Sequence, residues 1–354
     1  MPKAAIFTGA GASRAIGYPL TRELLPRVRS EIKNSKLFAD MNGKEPDRKR
    51  RLELHHMLRL LLPGFDRVTD NELPLITDVF SLVEYAIASG ETLPVGDESA
   101  LRRCRDLLKH AITDILIGDF LKPWDGRNEQ DRQQKHLLNR FVSWIQQFGG
   151  DAAVVSTNYD IGVEWELYKR IGRPEVAASI DLGFDWRDIK TGAERTRPAA
   201  PCLRIYKLHG SLDVLKCSVC GYVYFNPRGQ IAFQVFRDEI DANNTCVCRD
   251  EVKLQLHIVS PSFIREIRDA SLLNVWRSAL EWMRNAEEWF VVGYSLPPED
   301  LAIRSMLLRA YGARRKKPKV TVVQLGAGDR ARYQLLFPGC TYRADGLEGF
   351  LDTA

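Results

Sequence analysis

The sequence lacks an apolar run near the roughly 18 residues that a membrane-spanning helix needs, so nothing in its 354 residues reads as a transmembrane segment. It also lacks a secretory signal pattern at its N-terminus, and the expectation is a cytoplasmic protein. Internal repeats and low-complexity tracts are absent. Charge is close to balance, with a formal net charge of +5 and 27% charged residues. No basic motif interleaved with aromatics accompanies that slight excess, so the composition makes no case for direct nucleic-acid binding. Two basic clusters, Arg48–Arg51 and Arg314–Lys317, each fall where a helix meets a loop and read as solvated faces. The 45% hydrophobic content is that of an ordinary folded chain able to bury a large core.

What is present begins at Ala4-Ala5-Ile6-Phe7, a buried-looking strand that breaks into Thr8-Gly9-Ala10-Gly11-Ala12-Ser13. Glycines between a strand and a helix let backbone N–H groups approach an anion. The third glycine of a dinucleotide G-x-G-x-x-G fingerprint is missing, because Arg14 stands there and the next glycine is Gly17. Further continuous apolar runs, Ala152–Val155 and Trp289–Val292, also end in turn chemistry and read as parallel strands, with Val320–Leu325, ending at Gly326, as a fourth. The fold class expected is α/β: a Rossmann-like parallel sheet flanked by helices, with its loops converging on one crevice beyond the strands' carboxyl ends.

Between the first two strands lies a stretch too long for one crossover. Leu52–Leu62, Leu75–Ala88, Leu101–Phe120 and Lys135–Phe148 have helical spacing, Leu93–Ser99 reads as a loop, and Thr21–Phe38 reads as helix followed by more helix. A dehydrogenase would return to a second strand within this region, so a hydride-transfer enzyme loses support. The expected organisation is a discontinuous nucleotide-binding domain (1–30, 149–212 and 256–354), a helical insertion (31–148) and a small zinc-binding subdomain (213–255).

Two further stretches carry chemistry. Ser156-Thr157-Asn158-Tyr159-Asp160 places an amide and a carboxylate just after a strand; read alone, they suit an Asx turn or helix cap as well as a site. Lys207-Leu208-His209-Gly210-Ser211 puts a histidine at the end of a strand-like run, where an active-site group stands. Downstream, Cys217 and Cys220 form C-x-x-C, and Cys246 and Cys248 form C-x-C, with Tyr222–Phe225 and Ile231–Phe236 reading as strands between them. Two thiolate pairs of this kind suit a tetrahedral zinc, and four thiolates leave no open position for catalysis. His257 is a spare ligand should one cysteine fail; Cys104, Cys202 and Cys340 read as core residues.

GAGAS, GYPLTR, STNYD, KLHGS, CSVC with CVC, and VVGYSL occur in the order and local contexts of the sirtuin (SIR2) superfamily, which the chain resembles across nearly its whole length. The resemblance implies that Gly9, Ala10, Gly11, Ser13, Arg22, Gly293 and Ser295 bind NAD+, with Gln324 where the family usually has an asparagine on the adenosine ribose. It implies that Asn158 and Asp160 hold the nicotinamide ribose and that His209 is the base. Zn2+ at Cys217, Cys220, Cys246 and Cys248 would be structural.

Departures from the deacetylase pattern turn the expectation toward another reaction. The family's G-I-P-D-F-R reads Gly17-Tyr18-Pro19-Leu20-Thr21-Arg22, so Thr21 replaces the aromatic that covers the sugar carbon and leaves room for water. The peptide-docking F-G-E is replaced by a stretch containing Pro261, which cannot donate to a β-ladder. The wording TNYD and the helical insertion resemble bacterial SIR2-like NAD+ hydrolases of anti-phage defence, some of which assemble with a HerA-type hexameric DNA-translocating ATPase. The implied function is an NAD+ glycohydrolase releasing nicotinamide and ADP-ribose, as a homo-oligomer, with that ATPase as a partner by resemblance only. The alternatives are an NAD-dependent protein deacylase and a non-catalytic NAD+ or ADP-ribose sensor.

Overall fold

The computed structural model describes residues 3–38, 47–121, 128–172, 179–189, 191–225, 227, 232, 245–262, 269–297 and 300–354. Strand β1 (Ala4–Thr8) feeds α1 (Ala10–Ala15), after which come α2 (Thr21–Lys33), α3 (Arg48–Leu61), α4 (Ile76–Ser89), α5 (Glu98–Leu121) and α6 (Glu129–Gln146). Strand β2 (Ala152–Ser156) leads into α7 (Gly162–Ile171). Short strands β3 (Ile180–Asp181), β4 (Trp186–Asp188) and β5 (Glu194–Arg195) precede β6 (Leu203–Lys207), β7 (Gly210–Cys217), β8 (Val223–Phe225), β9 (Thr245–Cys246) and β10 (Arg249–Ile258). The rest runs α8 (Ala270–Asn285), β11 (Glu288–Val292), α9 (Leu301–Gly312), β12 (Lys319–Val323), α10 (Arg330–Leu336), β13 (Thr341–Arg343) and α11 (Gly346–Leu351).

The fold is α/β, with a seven-stranded sheet in the order β13-β12-β11-β1-β2-β6-β3. Every pairing in it is parallel. Burial on both faces explains the continuous apolar runs: β1 and β2 are buried at every residue. β1 sits where the order reverses, with β2 on one side and β11 on the other, the position where such sheets bind ligands. Register makes the carboxyl ends flush, since Thr8 pairs with both Ser156 and Val292, and Val292 with Val323. The turns after four strands therefore start at one level.

A second sheet, β5-β4-β8-β7-β10-β9, is mostly antiparallel and carries the cysteines. Helices α2 to α5 enclose a core of their own, with Leu54, Phe80, Val83, Leu107 and Leu108 fully buried. Ile16, Tyr18, Ile161 and Leu212 belong to that same core, so the helical layer is continuous with the turns of the sheet. Local chemistry starts and stops these helices: Asp78 accepts the Leu75 N–H at 3.0 Å before α4, and Gly90 at φ +70° ends it.

Several boundaries differ from the sequence reading. Helix α2 stops at Lys33 and the chain turns through Phe38 instead of continuing as helix. Strand β12 ends at Val323, leaving Gln324 and Leu325 in the following turn; the Gln324 N–H closes the last pair of the ladder with β13 by bonding Arg343 O. Strands β3 and β13 are too short and too polar to stand out as apolar runs. The strand expected at Ile231–Phe236 lies outside the described residues save Ala232. Within the second basic cluster, Lys317 bonds the Tyr311 and Gly312 carbonyls at the end of α9, the position that favours cations. Among the described residues, no helix is long and apolar enough to cross a membrane.

Candidate functional site

Three flush turns are locked together. The Gly9 N–H donates to Val292 O at 3.0 Å and the Gly11 N–H to Gly293 O at 2.7 Å, so these glycine amides hold one turn to the next. A Cβ on Gly9 would meet Tyr294 Cα at 2.7 Å, and one on Gly293, which sits at φ +63°, would meet Ala12 N at 2.0 Å. The glycines thus permit close backbone packing before any ligand is considered. Ala10 lies in the first turn of α1, beside them.

The turn after β2 docks on the same loop. Asn158 Nδ2 donates to Gly9 O at 2.9 Å and to Ser13 Oγ at 2.8 Å, and Ser13 Oγ donates to Asp160 Oδ2 at 2.6 Å. Asp160 Oδ1 lies 3.4 Å from the Gly162 N–H at the start of α7. The two readings of Asp160 therefore coincide in one side chain: it is a helix-start acceptor, and it belongs to the cluster formed by Asn158, Ser13 and the glycine turn.

His209, buried after β6, meets the same turn through Thr157. Its Nδ1 lies 3.0 Å from Thr157 O, and a carbonyl only accepts, so Nδ1 carries the proton and Nε2 is the basic nitrogen of the neutral ring. The ring lies between Tyr159 and Trp276, with centroids 6.3 and 6.4 Å away. Trp276 Nε1 donates to Leu208 O at 2.8 Å, and Tyr159 Oη to Val259 O at 2.6 Å. Gly210 follows at φ +82°, where a Cβ would stand 1.9 Å from His257 O. Only glycine lets β7 start this close to β10.

A buried charged layer, not anticipated from the sequence, lies beneath. Lys207 Nζ donates to the Asp160 carbonyl and, at 2.9 Å, to Glu164 Oε1. Burial pushes the Glu164 carboxyl up, with Lys207 opposing and Asp160 adding to the shift. Asp213 accepts from Ser211 Oγ at 2.5 Å, while its Oδ2 has no hydrogen-bond partner among the described residues. Burial raises its pKa as well, against Ser211 and Lys207. Tyr18 is held in its phenol form by burial and then by the charges of Asp160 and Glu164. The one signal in the sequence was a lysine closing the strand Leu203-Arg204-Ile205-Tyr206-Lys207.

The remaining expected residues are peripheral to this cluster. Gln324 is buried, and its Nε2 donates to Tyr294 O, to which the Tyr333 hydroxyl also donates. It supports the Gly293-Tyr294-Ser295 turn from behind. Ser295 is exposed and Leu296, fully buried, takes φ +53°, a conformation costly for a residue with a Cβ. Arg22 is exposed on the first turn of α2, with Thr21 half-buried beside it.

Cys217, Cys220, Cys246 and Cys248 form a cluster that could hold zinc, with all four sulfurs within 4.8 Å of one another. A tetrahedral site with Zn–S near 2.3 Å requires S···S of about 3.8 Å, and the pairs Cys217–Cys248 and Cys220–Cys246 stand at 3.7 and 3.3 Å. Burial pushes the Cys217 thiol up, but the N–H groups of Cys220 and Val219 and the neighbouring thiols bring it down to about 6. His257 is not the spare ligand expected. Its Nε2 faces Asp269 Oδ1 at 3.4 Å and Ser271 Oγ at 3.5 Å, because its strand turns that side chain toward α8.

No family model and no curated protein matches this chain. Among solved structures it is similar to a Sir2–p53 peptide–NAD+ complex, at 14% identity over 99% of this chain and 90% of that one, with a TM-score of 0.43. A structure described as the basis for the mechanism and regulation of Sir2 enzymes aligns at 18% identity, 99% and 90% coverage and a TM-score of 0.39. A Sir2 homolog–NAD complex aligns at 12% identity, 99% and 87% coverage and a TM-score of 0.42.

Proposed function

We propose that this chain hydrolyses NAD+ to nicotinamide and ADP-ribose, with the cluster of Ser13, Asn158, Asp160 and His209 as the site of cleavage. The bond joins an anomeric carbon to a cationic pyridinium leaving group, so its cleavage passes through an oxocarbenium-like state. Water adds to the sugar carbon as the electron pair of the broken bond leaves with nicotinamide, and one proton is released. Asn158 positions ribose and water. His209 Nε2 takes the proton. Asp160, with Ser13 and Gly162 on its oxygens, orients these groups and places negative charge beneath the developing cation. The exposed Arg22, the Ala10 turn and Ser295 would meet the phosphates and ribose. A zinc on the four cysteines would only hold the second sheet together.

The observation that carries hydrolysis over deacylation is the state of the segment after β10, where the resemblance places peptide docking. Val259 N–H donates to His209 O at 2.9 Å, its carbonyl accepts from Tyr159, and Ser262 Oγ donates to Glu84 on α4. Ser260, Pro261 and Ser262 are all buried. A segment bonded in this way offers an extended peptide no ladder at Val259–Ser262. With Thr21 in place of an aromatic, water is the nucleophile left for the sugar carbon. The resemblance to defence NAD+ hydrolases extends the proposal to an effector that depletes NAD+. The test is product analysis of purified protein with NAD+ alone: equal amounts of nicotinamide and ADP-ribose support the reading, and release that requires an acetyl-lysine peptide overturns it.

A further inference from the structure

Lys207 is 8% exposed, at the end of a strand whose other buried residues are Leu203, Ile205 and Tyr206. Its ammonium group reaches the carbonyl of Asp160 and the carboxylate of Glu164, and so joins the end of the turn carrying Asn158 to the first turn of α7. A buried ion pair contributes little net stability relative to a well-packed apolar pair. Stability therefore gives no account of a lysine here, whereas placement does. A cation at the start of a helix also opposes the helix dipole, which makes the position costly for anything but a specific contact. The turn it grips is the one whose two side chains meet Ser13 and the glycine loop.

We propose that Lys207, with Glu164, is a positioning residue for the cleavage site: by holding the Asp160 carbonyl it fixes the turn that presents Asn158 and Asp160. The inference rests on the proposed hydrolysis for its kinetic consequence, but its structural consequence stands apart. The test compares wild type with the double variant Lys207→Met/Glu164→Leu, which removes both charges together and so leaves neither buried alone. Amide exchange at residues 158–162 is expected to rise about tenfold or more while residues 152–155 keep their protection. The kcat for nicotinamide release is expected to fall about 10- to 100-fold, with KM moving by no more than about threefold. A second variant, Glu164→Gln, keeps an acceptor for Lys207 and its bond to the Asp160 carbonyl; it lowers global stability by leaving the ammonium without a counter-charge, but exchange in the turn is expected to rise less than in the double variant. Unchanged exchange in the double variant, or loss of protection in Glu164→Gln equal to that of the double variant, overturns the clamp. If wild type releases no nicotinamide, the functional reading fails, and the exchange measurement still decides the role of Lys207.

Discussion

Ser13 Oγ donates to Asp160 Oδ2 at 2.6 Å, joining two turns whose residues are 147 apart in sequence. The same oxygen accepts from Asn158 Nδ2, so one hydroxyl orders both the amide and the carboxylate of the site. Ser13→Ala would leave a buried carboxylate oxygen without its donor, at a cost of about 1–3 kcal/mol. Nicotinamide release is expected to fall about a hundredfold. Thermal melts and initial rates read the two effects separately, and a lowered melting temperature with unchanged turnover would reduce Ser13 to a structural role.

Gly293→Ala should destabilise far more than Gly326→Ala. Both glycines have positive φ, +63° and +91°, which alone costs an L-residue about 1–2 kcal/mol. At Gly293 the new methyl also meets Ala12 N at 2.0 Å and the Gly11 carbonyl carbon at 2.4 Å, backbone atoms that no rotamer change can move aside. At Gly326 nothing lies within 4 Å. Denaturant unfolding of the two variants checks the difference; equal losses would mean the loop contact is not tight.

The cysteine cluster should carry about one zinc per chain when purified without chelator. Without metal Cys217 titrates near 6, while the neighbouring thiols push Cys248, already raised by desolvation, up to about 12. Four thiolates cannot coexist without a cation, so zinc binding must expel protons and its affinity must rise with pH. Calorimetry in buffers of different ionisation enthalpy measures that release. Binding with no proton release, or well below one zinc per chain, contradicts a four-thiolate site.

Asp213 should make the fold less stable as pH rises. Its folded-state pKa is raised, chiefly by burial, so the native state holds its proton above the unfolded value of about 3.9. The unfolded chain then binds fewer protons across that window, and stability is lost as pH climbs through the folded pKa. Asp213→Asn keeps an acceptor for Ser211 and removes the titration. Relative to wild type, the variant should gain stability by urea unfolding as pH rises above about 4; a difference that stays constant as pH rises would contradict the assignment.

The sheet was legible in the sequence where strands are buried through most of their length, as β1, β2, β11 and β12 are, because burial there favours largely apolar runs. It was not legible at β3, where two residues end in Asp181, or at β13, where Arg343 ends three. The helices after α2 announced themselves by periodicity, although the stop at Lys33 did not. At the site, Asn158, Asp160, Ser13 and His209 stand in recognisable turns; hydrogen bonds join Asn158, Ser13 and Asp160, and His209 meets the carbonyl of Thr157 in the same turn. The pair Lys207–Glu164 was hidden because its members are 43 residues apart on a strand end and a helix, and only the packing of α7 against the sheet makes them neighbours. Gln324 is expected from the resemblance to contact the ligand, and the sequence carries no signal of its bond to the Tyr294 carbonyl, which supports the turn.

Hydrolysis as proposed makes water the acceptor at the sugar carbon, in a site made by Asn158 and His209. The most direct measurement is nicotinamide release from NAD+ by wild type, Asn158→Ala and His209→Ala, with and without an acetyl-lysine peptide. Wild type is expected to release nicotinamide at a rate that peptide does not increase, and each variant to lose about a hundredfold or more. Release by wild type only when peptide is present, or undiminished release by both variants, would contradict hydrolysis at this site.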